Sequence, residues 1–558
     1  MKISGQKILA YALENALLHS GTAKAGAVLP KLFLEGLKKE QIKNVMPSIQ
    51  QAIKNVNSMS LEEQKNRFEK LKDLVKERKH EEKVGLPELE KAEQGKVILR
   101  HAPYPSGPLH IGNAVPAIIN DEYSKKYSGK VYLIIDDTIG SEEKQIIPEA
   151  YKLIPQGLDW LDAEYEKEII YRSDRLNIYY KYAEELIKKG KAYVCFCSAE
   201  RLRKNRASGK ECECRQKDIE SNIKDWRWMF SSDAKAGSAS LRIKTSLQHP
   251  NPAFRDRVLF RISERIHPRV KGFKVWPLLE FSAAIDDHLL NITHIIRGKQ
   301  LIMESEMQEL IWSIFNWQKP VFAYTPLVTF EGVKISKSES QKEIKKGIYK
   351  GWDDPRTWSL QSLEKRGIQP AALRKLIISF GMTGKENITI PIDMLYAENK
   401  KLIESASRYF FIENPVKIKI EKAKKMKVKI PLHPQDLKRG YREFSAGPHY
   451  YISKQDFDSL EEGKIYRLMN LFNFKKEKGK FIFHSKKIEQ GLHAGMIHWL
   501  PALKTLPKIK VLMPFGEYKE GIAEKAVKKL KISTIVQFER MFFARKTEKG
   551  EFWFTHHY

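Results

Sequence analysis

The residues Arg100-His101-Ala102-Pro103-Tyr104-Pro105-Ser106-Gly107-Pro108-Leu109-His110-Ile111-Gly112-Asn113 join an apolar run to a helical pattern. Prolines stiffen that passage, Gly112 lets a ligand lie against the backbone, and the start of the following helix favours negative charge. Alone, a His-x-Gly step commonly marks no more than a helix entry. A second group, Lys334-Ile335-Ser336-Lys337-Ser338 after Glu331-Gly332, sets two lysines and two hydroxyls on a loop. Such a loop can clamp a triphosphate and stabilise a phosphoryl centre whose charge grows in the transition state. By itself the pentapeptide reads as an ordinary surface loop. The third group is Cys195-Phe196-Cys197 and Cys212-Glu213-Cys214, two close pairs with fourteen residues between them. Four thiolates so spaced can close a tetrahedral zinc site, buried free thiols being the alternative.

These groups need elements to hold them. Val97-Ile98-Leu99 reads as a short buried strand, Ile111–Lys126 as a helix and Val131–Ile135 as a second strand closed by Asp136-Asp137-Thr138. A βαβ unit of this kind binds ligands at the carboxyl ends of its strands. Lys274–Leu279 and Tyr324–Phe330 are further strand candidates of the same sheet, which an insertion over roughly 172–273 would interrupt. Upstream, Ile8, Leu9, Ala12, Ala16 and Leu17 recur at helical spacing, as do Val28, Leu32, Leu34 and Leu37, and Glu62–Glu82 is a strongly charged helical stretch. After Ser340 the pattern is helical to about Arg408, with Ala371–Ile378 well patterned. Beyond Pro415, Val416, Ile418 and Ile420 alternate with lysines, as do Met426, Val428 and Ile430, which predicts antiparallel sheet with a positive outer face.

The chain has 558 residues, 30% charged and 42% hydrophobic, with a net charge of +30. That length allows several cores, and that charge favours a polyanionic partner such as nucleic acid over a merely solvated lysine-rich surface. Apolar runs such as Val131–Ile135 are far too short to span a bilayer, and Met1–Lys7 is followed by no signal-type core. With all four cysteines between Cys195 and Cys214, no disulfide framework spreads through the chain. The expectation is a soluble, cytoplasmic protein.

Taken together, the first two groups resemble the His-Ile-Gly-His and Lys-Met-Ser-Lys-Ser motifs of class I aminoacyl-tRNA synthetases. Arg100–Gly112, Val131–Thr138, Lys274–Lys299, Lys334–Ser338, Gly351–Arg356, Arg366-Gly367, Tyr396–Phe411 and Ile430–Pro434 resemble the glutamyl-tRNA synthetases of archaeal type, in order and over essentially the whole chain. The resemblance implies a multidomain α/β protein with a Rossmann-type parallel sheet. Its expected divisions are a helical N-terminal extension (1–92), the first half of the catalytic domain (93–171), an acceptor-stem insertion with the cysteines (172–273), the second half (274–340), a helical connector (341–408) and antiparallel β-barrels that bind the anticodon (409–558). It implies ATP with Mg2+, L-glutamate and tRNA(Glu) as partners, tRNA(Gln) left open, and a monomer. His110 and Asn113 are expected against ATP phosphates and ribose, Gly112 under the adenine, Lys337 at the α-phosphoryl group, and Lys334, Ser336 and Ser338 in the catalytic loop with it. Arg297 is expected on the substrate side-chain carboxylate, with Arg100, Ala102, Pro103, Asp136 and Leu279 around the amino acid. Trp352, Arg356 and Arg366 are expected at the inner corner of the tRNA, and structural zinc on Cys195, Cys197, Cys212 and Cys214.

The chain also departs from that pattern. Asn113 replaces the second histidine, Ile134 stands where relatives often carry arginine, Ile139-Gly140 replaces Asp-Pro, and Leu279 sits where relatives place tyrosine. Two other readings therefore accompany the first. One is a glutaminyl-tRNA synthetase on the same scaffold, which Arg297 opposes. The other is a tRNA-binding paralogue without catalysis, which the Lys334–Ser338 loop opposes. Arg297 could also serve only as a salt-bridge partner of Asp286 or Asp287.

Overall fold

The computed structural model describes residues 4–18, 21–35, 37, 41–75, 86–142, 145–382, 387–488 and 495–558. They fall into two units, Met1–Lys83 and Val84–Tyr558.

The first unit is helical: α1 (Gly5–Leu18), α2 (Ala25–Leu34), α3 (Ile42–Asn57) and α4 (Leu61–Glu69). Ile8, Ala12 and Ala16 of α1 meet Val28 and Leu32 of α2 and Ile49 and Val56 of α3 in one buried cluster. α4 opens with a capping box, Ser60 accepting from Glu63 N–H while Glu63 returns the bond. The charged helix expected over Glu62–Glu82 ends at Glu69, followed by a single 3-10 turn at Lys72–Leu74, and the remainder beyond residue 75 lies outside the described residues. α4 buries only Gln64, so no apolar stripe supports a longer helix, and propensity alone holds short helices poorly.

In the second unit, β1 (Ile98–His101), α5 (Ala114–Lys126), β2 (Lys130–Ile135) and β3 (Ile170–Tyr171) form a parallel βαβ layer. The chain then builds a four-stranded antiparallel sheet, β4 (Ala192–Cys195), β5 (Ser240–Ile243), β6 (Val258–Ile262) and β7 (Val275–Pro277), before returning with the parallel pair β8 (His294–Gly298) and β9 (Val321–Thr325). Thr293 N–H donates to Ile98 O at 3.0 Å and its hydroxyl accepts from Ile98 N–H at 2.9 Å, which places β8 beside β1. The order is therefore β3-β2-β1-β8-β9, and the winding reverses between β1 and β8. A ligand crevice opens beyond the carboxyl ends of strands at such a reversal.

Two strand expectations need correction. Lys274–Leu279 does not join the parallel sheet; only Val275–Pro277 is extended, and it pairs antiparallel with β6. Val275 and Trp276 are buried on both faces, a pattern that either sheet would produce. Tyr324–Phe330 is not one strand, because Pro326 has no N–H to continue the ladder. β9 ends at Thr325, and β10 (Leu327–Glu331) pairs instead with β11 (Asn387–Pro391), a strand inside the expected helical connector.

The C-terminal strands keep the alternation read from sequence: Ile418, Ile420 and Ile430 are buried and the intervening lysines exposed. They form two seven-stranded sheets and a separate antiparallel pair, Met426–Pro431 with Tyr441–Ala446. In one, the outermost strands, Arg408–Tyr409 and Phe411–Glu413, are separated by Phe410 alone; in the other, Met496–Ile497 and Leu500–Pro501 are separated by His498 and Trp499. The two outermost strands of each sheet are thus neighbours in the chain, and no pairing that closes either sheet into a barrel is found among the described residues. Phe410 and Trp499, both fully buried, lie 6.2 Å apart between ring centroids.

Candidate active site

A cavity of about 470 Å3 occupies the crevice at the carboxyl ends of β1 and β8. β1 delivers Arg100 and His101 to it, β8 delivers Arg297 and Gly298, and the turn after β2 delivers Asp136. Ala102, Pro103, Asn113, Leu279 and Lys337 line it as well. Residues spread over more than two hundred positions of sequence therefore converge on one chamber.

At one end the side chains are ionic. Arg100 forks onto Asp287, Nε to Oδ1 at 2.8 Å and Nη2 to Oδ2 at 3.1 Å, which consumes its planar face. Asp286 takes Arg175 at 2.7 Å and the Tyr179 hydroxyl at 2.7 Å, with Arg172 at 3.3 Å. Both carboxylates proposed as salt-bridge partners of Arg297 are thus held by other residues. Arg297 is 5% exposed, reaches the Ser305 hydroxyl only at 3.4 Å, and leaves its Nε buried without a partner. Burial and the neighbouring Arg100 pull it down to about 9. A buried guanidinium without its own carboxylate is costly in an empty site and complementary to an anionic ligand. Asp136, expected at the amino acid, faces Arg172 Nη1 at 2.8 Å.

Sequence reading missed Arg172 and gave no role to Tyr104 of the quoted motif; both line the cavity. Arg172 follows directly on β3, the carboxyl end of a parallel strand, and that position was the available signal. His101 was quoted within the motif but given no role.

His110 and Gly112, expected at the nucleotide, are not among the residues lining the cavity; His110 caps the turn Ile111–Asn113, its Nδ1 accepting from Gly112 N–H at 3.1 Å while its backbone N–H donates to Asn113 Oδ1 at 3.3 Å. Ile111 N–H donates to Trp358 O and Leu360 N–H to Leu109 O, stapling the motif to the connector. Burial, with Lys337 nearby, pushes His110 down to about 3, so its imidazole is neutral. The Lys334–Ser338 loop divides. Lys337 opens the helix Lys337–Lys345, whose cap is Ser336, and lines the cavity. Lys334 pairs with Glu339 at 2.9 Å and, with Ser336, lines a separate hollow beside Tyr349 and Arg356. Ser338 lies 3.3 Å from Ser336, hydroxyl to hydroxyl.

Two glycines are fixed by close approach. A Cβ on Gly140 would sit 2.9 Å from the carbonyl oxygens of Trp276 and Pro277, which accounts for the small residue in the departing Ile139-Gly140 pair. Gly107 has φ +139° and lies under the Trp352 indole, where a Cβ would meet the ring at 3.1 Å. Trp352 therefore packs on the motif loop.

The remaining tRNA assignments fare differently. Arg356 forks onto Asp354 at 2.8 and 2.9 Å and lies over the Tyr349 ring. Arg366, expected at the tRNA, is 0% exposed. It donates to Phe554 O at 3.2 Å, Thr555 O at 3.1 Å and the Tyr396 hydroxyl at 2.9 Å, with its guanidinium 4.6 Å from the Trp358 ring centroid. It ties the connector to the C-terminal sheet and has no face left for RNA. Arg366→Leu should lower unfolding stability by about 3 kcal/mol, because two carbonyls and a hydroxyl lose a buried cationic donor. Urea melts of the two proteins check this.

The four cysteine sulfurs lie within 4.8 Å of one another, with Cys195 and Cys212 at 3.7 Å. A tetrahedron with metal–sulfur bonds of ~2.3 Å has edges of about 3.8 Å, so this cluster can hold a metal ion. The Cys195–Cys212 contact holds the Cys212 thiol low and the Cys195 thiol high, so the pair shares a proton that a bound metal would displace.

A parallel sheet wound in this order, with an ionic pocket and a helix-borne lysine at its switch point, defines a catalytic domain of the Rossmann class. Residues 96–430 match the model for the catalytic domain of class I tRNA synthetases (E and Q), and residues 406–494 match that for their anticodon-binding domain. The chain is 40% identical over 554 residues to the glutamate–tRNA ligase of Methanocaldococcus jannaschii, covering 98% of each chain. It is 42% identical to that of Pyrococcus furiosus, covering 96% of each, and 40% identical to that of Methanothermobacter marburgensis, covering 98% of each. The chain belongs to the glutamyl/glutaminyl family of class I tRNA synthetases.

Proposed function

We propose that this chain is an ATP-dependent glutamate–tRNA ligase. The observation that carries this reading is Arg297, a buried guanidinium lining the cavity with no carboxylate of its own. The side-chain carboxylate of glutamate supplies the missing charge, whereas the neutral amide of glutamine does not. Asp136 holds the α-ammonium, and Arg100, braced by Asp287, lines the same pocket. The glutamate α-carboxylate attacks the α-phosphorus of ATP, an acyl–phosphate bond forms, and pyrophosphate leaves with the electrons of the broken P–O bond. The terminal ribose hydroxyl of tRNA then attacks the carbonyl carbon and AMP leaves. No protein nucleophile takes part, so catalysis rests on positioning and on charge placed where charge develops. Lys337 is assigned to the α-phosphoryl oxygens and Asn113, beside it in the cavity, to the phosphates or ribose.

Mg2+ enters with the nucleotide. Among the described residues lining the cavity Asp136 is the one carboxylate, and it already faces Arg172, so those residues offer no dedicated cage for the ion. Among the described residues no helix is long and apolar enough to cross a membrane. We place the enzyme in the cytoplasm as a monomer acting on tRNA(Glu), with tRNA(Gln) decided by which isoacceptors it charges.

The reading is tested by glutamate-dependent ATP–pyrophosphate exchange with tRNA present. Exchange with glutamate and none with glutamine supports it; no exchange with either favours the tRNA-binding paralogue. The cysteine cluster is assigned to structural zinc. The purified protein should carry about one zinc per chain by elemental analysis. Cys197→Ser with Cys214→Ser should lose that metal and speed hydrogen exchange around Ala192–Cys195 and Cys212–Gln216, leaving β1 and β8 protected.

A further inference from the structure

His101 ends β1 beside Arg100 and lines the catalytic cavity. Only 9% of it is exposed, and its Nε2 is buried without a hydrogen-bond partner. Few buried polar atoms go unpaired, and an unpaired one on a residue that lines a ligand chamber can find its partner in the ligand. The neighbours narrow the choice of ligand atom. Arg100, next to it on β1, and Lys337, which lines the same cavity, are the cations near it; burial and these two hold His101 down at about 4. The imidazole is therefore neutral and offers one N–H and one acceptor nitrogen. Asn113, where a histidine is expected by resemblance, lines the same cavity.

We infer that His101 is a catalytic residue that donates a hydrogen bond to the α-phosphoryl group at the point where the acyl–phosphate bond is made. The inference rests on the ligase reading above. His101 moves no proton in this step: the substrate carboxylate forms the new bond, pyrophosphate departs with the electron pair, and the imidazole N–H follows the oxygen whose charge grows. A donor of this kind contributes more to the transition state than to ATP binding.

The test is pyrophosphate exchange and thermal melting of the full chain carrying His101→Phe. The kcat for exchange should fall by on the order of 10- to 100-fold while the KM for ATP changes less than about threefold. The melting temperature should hold or rise, because an apolar ring replaces an orphaned polar one. A residue serving only packing would give the reverse, a lower melting temperature with kcat kept. Unchanged kcat overturns the assignment, as does a loss confined to KM. Wild-type protein without exchange would instead overturn the ligase reading itself, so the two failures are distinguishable.

Discussion

Arg297→Gln is expected to lower glutamate-dependent charging by about three orders of magnitude in kcat/KM without creating glutamine charging. The bound carboxylate loses a charge-assisted fork in a buried site and is left unpaired, and unpaired buried charge carries the largest penalties in recognition. Arg100 cannot take over, because its fork is committed to Asp287 at 2.8 and 3.1 Å. Glutamine gains little, since the rest of the pocket keeps its ionic character through Asp136, Arg172 and Arg100. Stability should not suffer. Arg297 in the empty cavity is a buried cation pulled down to about 9, and removing it relieves that cost. Steady-state charging with each amino acid and a thermal melt check both halves; a variant with unchanged glutamate kinetics would remove Arg297 from the pocket assignment.

The second large effect is expected at Lys337. Lys337→Met keeps the length of the side chain and removes its charge, and should lower the kcat of exchange by roughly 100- to 1,000-fold with the KM for glutamate nearly unchanged. The same change at Lys334 should cost far less, about fivefold or under, because that side chain is 80% exposed, is paired with Glu339, and lines a different hollow. The contrast between two lysines three positions apart is the useful readout. Equal losses would mean that the loop closes as one clamp when ATP binds, carrying Lys334 into the cavity.

The local pattern made much of this legible. The strand–turn–helix passage from Ile98 to Lys126, the strand closed by Asp136, and the lysine-faced strands after Pro415 all depend on neighbours in sequence, and periodicity reports those. What escaped depends on distant partners. Arg100 and Asp287 are 187 residues apart, and no local feature says that this pair, rather than Arg297 with Asp287, will form. The same holds for Arg366, whose acceptors Phe554 and Thr555 lie nearly two hundred positions on; a conspicuous arginine in a resembling motif looked like an RNA contact and is a buried tie. Val275–Pro277 reads identically in either sheet, since burial on both faces does not reveal which neighbour donates the hydrogen bonds. His101 was hidden differently: its significance is an unmade hydrogen bond, which exists only once the surrounding structure is closed.

The central claim is that the buried, uncompensated guanidinium of Arg297 selects glutamate for transfer to tRNA. The most direct test is aminoacylation of total tRNA with labelled glutamate and, separately, labelled glutamine, followed by identification of the charged isoacceptors. Glutamate attached to tRNA(Glu), with no glutamine attached to any tRNA, is the predicted result. Glutamine attached to tRNA would contradict it and assign the pocket to the glutaminyl branch, and the absence of any charging would contradict catalysis altogether.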